Sequence, residues 1–224
     1  MSDKSLAYLN AMGIDVWQVR DKAKEPKTTI EVPLEDFSKI PVDQLDWESL
    51  RQRISGCTLC NLHQSRTQTV FGIGNPQADL MFIGEAPGAN EDLQGEPFVG
   101  RAGQLLNSML EAIDLNRSDI FIANILKCRP PENRDPLPEE VATCTPYLLR
   151  QIEHIKPKLI VALGRIAAQF LLNTTVTLGK LREQTHHYHG IPLITTYHPA
   201  YLLRSPTQKA KAWEDLVKIK RAIN

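Results

Sequence analysis

Three polar side chains with complementary chemistry stand in this sequence, each directly after an apolar run. Glu85 lies in the loop GEAPG, Asn124 closes the run IFIAN, and His198 lies in the segment TYHP. A carboxylate can accept a proton or stabilise positive charge, an amide can donate and accept hydrogen bonds, and an imidazole can donate one. Together they are the polar groups that a catalytic or binding site needs.

The chain contains four cysteines, which are Cys57, Cys60, Cys128 and Cys144. A disulfide framework is not expected in a cytosolic chain of this size. Spacing leaves two interpretations open: scattered buried thiols, with Cys57 and Cys60 as a redox pair, or one site in which all four thiolates bind metal. Four thiolates suit either zinc or an iron–sulfur cluster, and spacing does not choose between them. No cysteine is left over, which favours one shared site.

The apolar pattern from about position 78 predicts the scaffold that positions these side chains. Four short runs, ADLMFIG, IFIANIL, KLIVALG and IPLITTYHP, alternate with helical stretches. This alternation is typical of a parallel sheet covered by helices on both faces, so we expect a three-layer α/β domain with a central four-stranded parallel sheet. Ligands of such sheets bind beyond the carboxyl ends of the strands, where Glu85, Asn124 and His198 are predicted to lie.

Composition excludes several classes of protein. Of the 224 residues, 42% are hydrophobic and 23% charged, which excludes wholesale disorder. No apolar run approaches the roughly 20 residues that span a bilayer, and the N-terminus lacks the apolar core of a signal peptide, so we expect a cytoplasmic protein without membrane contact. Net charge is zero, but residues 1–50 carry 6 Lys and Arg against 10 Asp and Glu, and residues 51–224 carry 20 against 16. The basic larger part permits contact with a polyanion without requiring it.

The N-terminal part of the chain differs from the rest. In residues 1–20 apolar side chains recur at helical spacing, which predicts a short amphipathic helix. Residues 21–45 are charged, contain three prolines and show no sustained period, which is typical of a linker. We therefore expect an amphipathic peptide with a flexible linker over residues 1–45 and one globular domain over residues 46–224.

Three segments of the sequence resemble the family-4 uracil-DNA glycosylases. They are GEAPGANEDLQGEPFVGRAGQLLNSML, NILKCRPPENRDP and TYHPAYLLR, in the family's order. The resemblance runs from about residue 46 to the C-terminus and includes all four cysteines. It implies the uracil-DNA glycosylase fold, base excision repair of uracil-containing DNA, and a structural [4Fe–4S] cluster bound by Cys57, Cys60, Cys128 and Cys144.

The resemblance also implies a role for each side chain of the uracil pocket. Phe98 would stack on the base, although an unaligned Phe is more often part of the core. Asn124 would read the uracil edge, since its amide can accept from N3–H and donate to O4. His198 would donate to the oxygen on which negative charge develops. Glu85 would position water or stabilise the sugar cation, and Ala86, which stands where related families place an Asp, would line the uracil pocket.

Further contacts are expected around the pocket. Glu91 would crowd the methyl group of thymine, with a solvated loop carboxylate as the alternative. DNA contacts are expected from Arg101, Arg129, Arg134, Tyr201, Leu202 and Arg204. Tyr201, Leu202 and Leu203 could supply an apolar wedge that fills the gap left by a flipped base, or Leu202 and Leu203 could form the buried first turn of a helix. The histidines in HHYHG are expected to form a solvated loop.

The leading hypothesis is a monomeric, monofunctional glycosylase that uses water to release uracil from DNA and leaves an abasic site. No lysine stands at a strand exit in a way that suggests a Schiff base. Two alternatives stay open. One is a DNA-binding or covalent-trapping module without turnover. The other is a replisome adaptor, since residues 1–20 faintly resemble the N-terminal peptide of the psi subunit of bacterial clamp loaders.

Overall fold

The structure, a computed structural model, describes residues 40–223. The predicted peptide at residues 1–20 and most of the predicted linker lie outside the described residues. Within the described part, no helix has the length and apolar character needed to cross a membrane.

A six-stranded sheet forms the centre of the described domain. Its strands are β1 (Ile73–Gly74), β2 (Leu80–Gly84), β3 (Phe121–Asn124), β4 (Leu159–Leu163), β5 (His186–Tyr188) and β6 (Ile191–Thr196), in the order β1-β3-β2-β4-β6-β5. The four inner strands are parallel to one another, and β1 and β5 pair antiparallel at the two edges. The predicted parallel core of four strands is confirmed, and the edge strands make the sheet wider than predicted.

Helices cover both faces of the sheet. They are α1 (Trp47–Ser55), α2 (Ala89–Gln94), α3 (Arg101–Glu111), α4 (Pro138–Ile155), α5 (Arg165–Leu171), α6 (Leu178–Leu181), α7 (Pro199–Arg204) and α8 (Lys209–Ile223). Side chains of α1, α4, α5 and α6 pack in one hydrophobic cluster, and side chains of α3, α7 and α8 pack in a second. The predicted three-layer architecture follows from this separation.

Strand β2 shows why the sheet is buried on both faces. Met81 and Ile83 point into the first cluster and Leu80 and Phe82 into the second, and each is exposed by 2% or less. Successive side chains of a strand alternate between faces, so a continuous apolar run is what a doubly covered strand requires. The strand ends at Gly84, and the next loop begins there, at the carboxyl ends of the parallel strands.

The folded domain begins before the predicted boundary at residue 46. Leu45 is 1% exposed, and its carbonyl oxygen accepts from Arg150 Nε at 2.7 Å and lies 2.8 Å from His154 Nε2. Arg53 donates to the carbonyl oxygen of Ile40 at 3.0 Å. The assignment of residues 40–45 to a flexible linker was wrong, because this segment supplies apolar and hydrogen-bonded contacts that the proline-bearing sequence does not reveal.

Candidate active site

A cleft of about 500 Å³ lies at the carboxyl ends of the parallel strands. Its lining includes Glu85 after β2, Asn124 at the end of β3 and His198 after β6, together with Phe98 from the loop between α2 and α3. The structure thus brings together the three polar side chains and the aromatic ring that lie far apart in the sequence. This is the position at which ligands bind in open α/β sheets.

Asn124 presents an acceptor without a partner. Its side chain is 2% exposed, and Oδ1 makes no hydrogen bond within residues 40–223. A buried oxygen left unpaired costs about 1–3 kcal/mol. Gly84 makes the arrangement possible, because a Cβ there would collide with Oδ1 of Asn124 and lie 3.0 Å from the ring of Phe98. The unpaired oxygen is suited to accept from a ligand N–H in the cleft.

His198 is held as a neutral donor. It caps the N-terminus of α7, and its Nδ1 accepts from the backbone N–H of Ala200 at 3.1 Å. Burial lowers the pKa of His198 to about 4, a shift that Arg204 increases and Glu91 opposes. The ring is therefore neutral at pH 7, and because Nδ1 is an acceptor, the proton is on Nε2. Nε2–H is available to donate without a change of charge.

Phe98 lies beside His198 in the lining of the cleft. The two ring centroids are 5.4 Å apart and the ring planes differ by 31°. Phe98 is 6% exposed, so part of its surface belongs to the core, as the alternative to a stacking role anticipated. Its φ of 55° lies in the left-handed region, which a bulky side chain rarely adopts. The loop must therefore be held in place by its surroundings.

Glu85 titrates near neutrality. Burial raises its pKa to about 7; Asp135 adds to the shift, and Arg165 opposes it. Nη2 of Arg165 lies 3.3 Å from Oδ2 of Asp135, and both residues line the same cleft. A carboxyl group with this pKa exists in both protonation states at neutral pH, which suits it to proton exchange or charge stabilisation. Ala86, the next residue, also lines the cleft.

Glu91 is engaged with the backbone of the neighbouring loop. It lines the cleft, and its Oε1 accepts from the N–H groups of Val99 and Gly100 at 2.9 and 3.0 Å. The alternative of a solvated loop carboxylate does not describe these contacts. No pattern of residue types signals them, since the partners are backbone groups eight and nine residues away.

The predicted DNA contacts fall into two groups. Tyr201 and Arg204 line the cleft, and Tyr201 is 38% exposed and stacks on Tyr197 with a centroid distance of 5.4 Å. The guanidinium of Arg134 also borders the cleft, but it pairs with both carboxylate oxygens of Glu140, at 2.9 and 2.6 Å.

The other two predicted residues lie outside the lining of the cleft. Arg101 is exposed at the first turn of α3, and Arg129 donates to Asn133 Oδ1 at 2.8 Å. Arg204 and Tyr201 are therefore the better placed for a ligand of the cleft.

Leu202 does not belong to a DNA-contacting wedge, and that prediction was wrong. Its side chain is 1% exposed and packs in the second hydrophobic cluster. The alternative, a helical turn that buries Leu202 and Leu203, is correct for Leu202 and wrong for Leu203, because α7 turns Leu202 inward while Tyr201 and Leu203 remain exposed.

All four cysteines line a second cavity on the α1 and α4 side of the sheet. They are free thiols, and three of the sulfur atoms accept hydrogen bonds: Cys128 from Arg66 at 2.9 Å, Cys144 from the backbone N–H of Lys127 at 3.3 Å, and Cys57 from the Tyr147 hydroxyl at 3.4 Å. Burial raises the pKa of Cys144 to about 12.

Within residues 40–223, no three His, Cys, Asp or Glu side chains approach closely enough to hold one metal ion. The convergence on one cavity favours a shared site over scattered thiols.

Comparisons with known proteins agree with this geometry. A family model described as the Uracil DNA glycosylase superfamily matches residues 71–217. A type-4 uracil-DNA glycosylase of Archaeoglobus fulgidus is 47% identical to the chain over 180 residues, which are 77% of this chain and 90% of the relative. A type-4 uracil-DNA glycosylase of Thermotoga maritima is 44% identical, covering 79% of this chain and 94% of the relative.

A third relative, a type-4 uracil-DNA glycosylase of Saccharolobus solfataricus, is 43% identical over 192 residues, which are 82% of this chain and 88% of the relative. The region that the family model matches, residues 71–217, contains the cleft and all six strands of the sheet. The family resemblance of the three sequence motifs is confirmed. The chain belongs to the uracil DNA glycosylase superfamily and, within it, to the type-4 uracil-DNA glycosylases.

Proposed function

We propose that the protein is a monofunctional uracil-DNA glycosylase of base excision repair, which hydrolyses the N-glycosidic bond of deoxyuridine in DNA. The observation that carries the proposal is the unpaired, buried Oδ1 of Asn124 in the same cleft as the neutral imidazole of His198. The relatives carry the name of this activity. Water is the nucleophile, and the products are free uracil and an abasic site.

Asn124 supplies base selection in this proposal. Its Oδ1 accepts from uracil N3–H, and its amide group donates to O4. Cytosine has an acceptor at N3 and a donor at the neighbouring position, so it would leave the buried oxygen of Asn124 unpaired. Phe98 provides a face on which the extruded base stacks. Glu91 and Ala86 border the same cleft, and we place the discrimination against the methyl group of thymine at Glu91.

The bond breaks with opposite charges on its two halves. Positive charge builds on the sugar and negative charge on the departing uracil. His198 donates from Nε2–H to the uracil oxygen, and Glu85 in its ionised form stabilises the sugar cation or orients the water. The hydroxyl of that water joins the sugar, and its proton leaves with the base or to solvent. Tyr201 and Arg204 border the cleft and are placed to contact the DNA around the extruded nucleotide.

We further propose that Cys57, Cys60, Cys128 and Cys144 hold a structural [4Fe–4S] cluster. The donor set fits a cluster better than a single ion, because four thiols line one cavity and no three described side chains lie close enough to share one ion. N–H donors from Arg66 and Lys127 already face two of the sulfur atoms. Such donors offset the negative charge of thiolate ligands. Bound by these four residues, the cluster would cross-link the surrounding loops and would have a structural role.

Neither alternative function gains support. The relatives are named as glycosylases. The segment from Gly88 to Phe98 forms the short helix α2, and Glu91 of that helix accepts a hydrogen bond from the backbone of Val99. The adaptor hypothesis rests on residues 1–20, which lie outside the described residues. A trapping module and an adaptor therefore enter only as outcomes of the experiments.

Replacement of Asn124 by Ala tests the proposed function. We expect the single-turnover rate of uracil release from an oligonucleotide to fall by about 10²–10³-fold, the loss seen when one well-placed polar group is removed from an active site. The thermal midpoint should hold or rise, because the substitution removes an unpaired buried oxygen. Gln52→Ala, which truncates an exposed amide on α1, is the control and should match the wild type.

Two results would contradict the proposal. Unimpaired excision by Asn124→Ala would mean that the base is read elsewhere. A wild-type protein that carries its metal and releases no uracil would exclude turnover, and a stable covalent complex with DNA in that sample would point to trapping instead.

Metal analysis tests the cluster. We expect iron and acid-labile sulfide in equal amounts, about four of each per chain, and their loss in Cys128→Ala. Thr143→Ala, beside the same cavity, should retain both and serves as the control. Zinc in place of iron in anaerobically purified wild-type protein would overturn the assignment.

A further inference from the structure

The loop Pro97–Gly100 carries the Phe98 ring in a conformation that it would not hold alone. Phe98 has a φ of 55°, and left-handed backbone costs an ordinary side chain about 1–2 kcal/mol. Such a conformation persists only where the surroundings determine it. Two charged side chains, Arg117 and Glu91, contact the backbone of this loop.

Arg117 holds the carbonyl groups of the loop. It lies in the 3₁₀ turn after α3, Arg117–Asp119, and donates from Nη1 to the carbonyl oxygen of Phe98 at 2.8 Å and from Nη2 to that of Pro97 at 2.5 Å. Nη1 also donates to Asn107 Oδ1 on α3 at 3.2 Å, which fixes the orientation of the guanidinium. The two nitrogens of one rigid fork thus bind two consecutive carbonyl oxygens.

Glu91 holds the amide groups that follow. Its Oε1 accepts from the N–H groups of Val99 and Gly100 at 2.9 and 3.0 Å. The peptide group between Phe98 and Val99 is therefore held at both ends, its oxygen by a cation and its N–H by an anion. Gly103 completes the fit, because a Cβ there would overlap the carbonyl group of Phe98.

We propose that Arg117 is a positioning residue for base excision, which acts on the substrate only through the ring of Phe98. The inference rests on the proposed function and extends it to a side chain that does not line the cleft. With the carbonyl oxygens of Pro97 and Phe98 bound by the guanidinium, the left-handed backbone at Phe98 is fixed and the ring keeps its place beside His198 and Gly84. Without the guanidinium, these two carbonyl groups are released and the ring loses its fixed direction.

A double-mutant cycle distinguishes this role from a general effect on stability. The four proteins are the wild type, Arg117→Met, Phe98→Ala and the double variant, all full-length and assayed in single turnover on a uracil-containing oligonucleotide. Methionine keeps an apolar stem of similar length and removes every donor. We expect Arg117→Met to slow excision by about 10–100-fold, the order of loss produced by misplacing a reacting group by about 1 Å. In the Phe98→Ala background the same substitution should change the rate less than about twofold, because no ring remains to be placed.

Controls separate failure of this inference from failure of the proposed function. Arg221→Met, at the exposed end of α8, should match the wild type. Arg117→Lys, which can donate to one carbonyl at a time, should lose less than Arg117→Met, and it replaces Met in the cycle if the Met variant does not fold. A wild-type protein that does not excise uracil would refute the proposed function. If the wild type is active and the losses of rate in Arg117→Met and Phe98→Ala multiply in the double variant, the role of Arg117 is refuted.

Discussion

Burial sets the protonation of two residues of the cleft in opposite directions. It raises the pKa of the Glu85 carboxyl to about 7 and lowers the pKa of the His198 imidazole to about 4. Loss of water disfavours the charged form in both cases, so the carboxyl group keeps its proton to higher pH and the imidazole loses its proton at lower pH. Between pH 5 and 8 only Glu85 of this pair passes through its pKa, so a pH profile in that window reports on one of the two groups.

The pH dependence of excision follows from this difference. If ionised Glu85 supports the reaction, the single-turnover rate should rise with pH, by about tenfold per unit well below pH 7, and level off above it. Glu85→Gln should be slow and show no such rise between pH 5 and 8, whereas Glu132→Gln, which changes an exposed carboxylate, should retain the wild-type profile. A rate that declines as pH increases through 7 would assign the active role to the protonated form.

The residues at strand ends are predictable from the sequence, whereas contacts between side chains and backbone groups are not. Asn124 and His198 follow apolar runs, so topology alone brings them to one edge of the sheet. Arg117 lies in no motif and belongs to a short turn, and its partners are carbonyl oxygens 19 and 20 residues away. Every residue has a carbonyl oxygen, so residue types carry no signal for such contacts.

At the scale of elements, the end of β2 is shaped by a missing side chain. Gly84 stands between Oδ1 of Asn124 and the Phe98 ring, and a methyl group would contact both. The close approach of β2 and β3 at Gly84 and Asn124 is therefore what places the amide and the ring on the same cleft.

Gly84→Ala should consequently impair the site and its stability together. We expect excision to fall at least about tenfold and the thermal midpoint to drop, because the ring and the amide must move apart within a packed core. Gly179→Ala is the matched control: nothing lies within 4 Å of the position that its methyl group would occupy in α6, and alanine favours a helix by about 1 kcal/mol. If Gly84→Ala excises uracil at the wild-type rate, the cleft tolerates a wider separation between the Asn124 amide and the Phe98 ring.

The edge strands mark the limit of prediction for elements. The inner strands are continuous apolar runs, which the sequence displays plainly. By contrast β1 has two residues, one of them Gly74, and His186–Tyr188 carries two histidines where a solvated loop was expected. These strands exist because β3 and β6 offer unpaired backbone groups, a tertiary effect that local composition does not encode.

A chain of contacts joins the cysteine cavity to the cleft. Arg66 donates to Cys128 Sγ and to the carbonyl oxygen of Cys57, and the next residue, Thr67, donates its N–H to both carboxylate oxygens of Asp92 in α2. Asp92 is adjacent to Glu91, which holds the loop after Phe98. A cluster that fixes the loops around Arg66 would therefore stiffen the stacking face by mechanical means, without electron transfer.

At the scale of the whole molecule, the domain needs its first described residues. A protein that starts at residue 40 should retain excision and serves as the reference for the thermal midpoint, because the cleft, the cysteine cavity and the contacts of Ile40 and Leu45 remain. A protein that starts at residue 46 loses the buried Leu45 side chain and the acceptor used by Arg150, so its midpoint should fall by several degrees. Calorimetry and the excision assay test both. Equal thermal midpoints for the two truncated proteins would show that residues 40–45 do not stabilise the domain and belong to the linker.

The unpaired oxygen of Asn124 has a consequence for the order of events after the bond breaks. Because free uracil still carries N3–H, the contact proposed for Asn124 would apply to the product as well as to the substrate. In the proposed reaction the base is therefore retained after the abasic strand is formed, and accumulated uracil competes with the next damaged site. Clearance of the base becomes a step of its own, and a pocket that reads its base more tightly would empty more slowly.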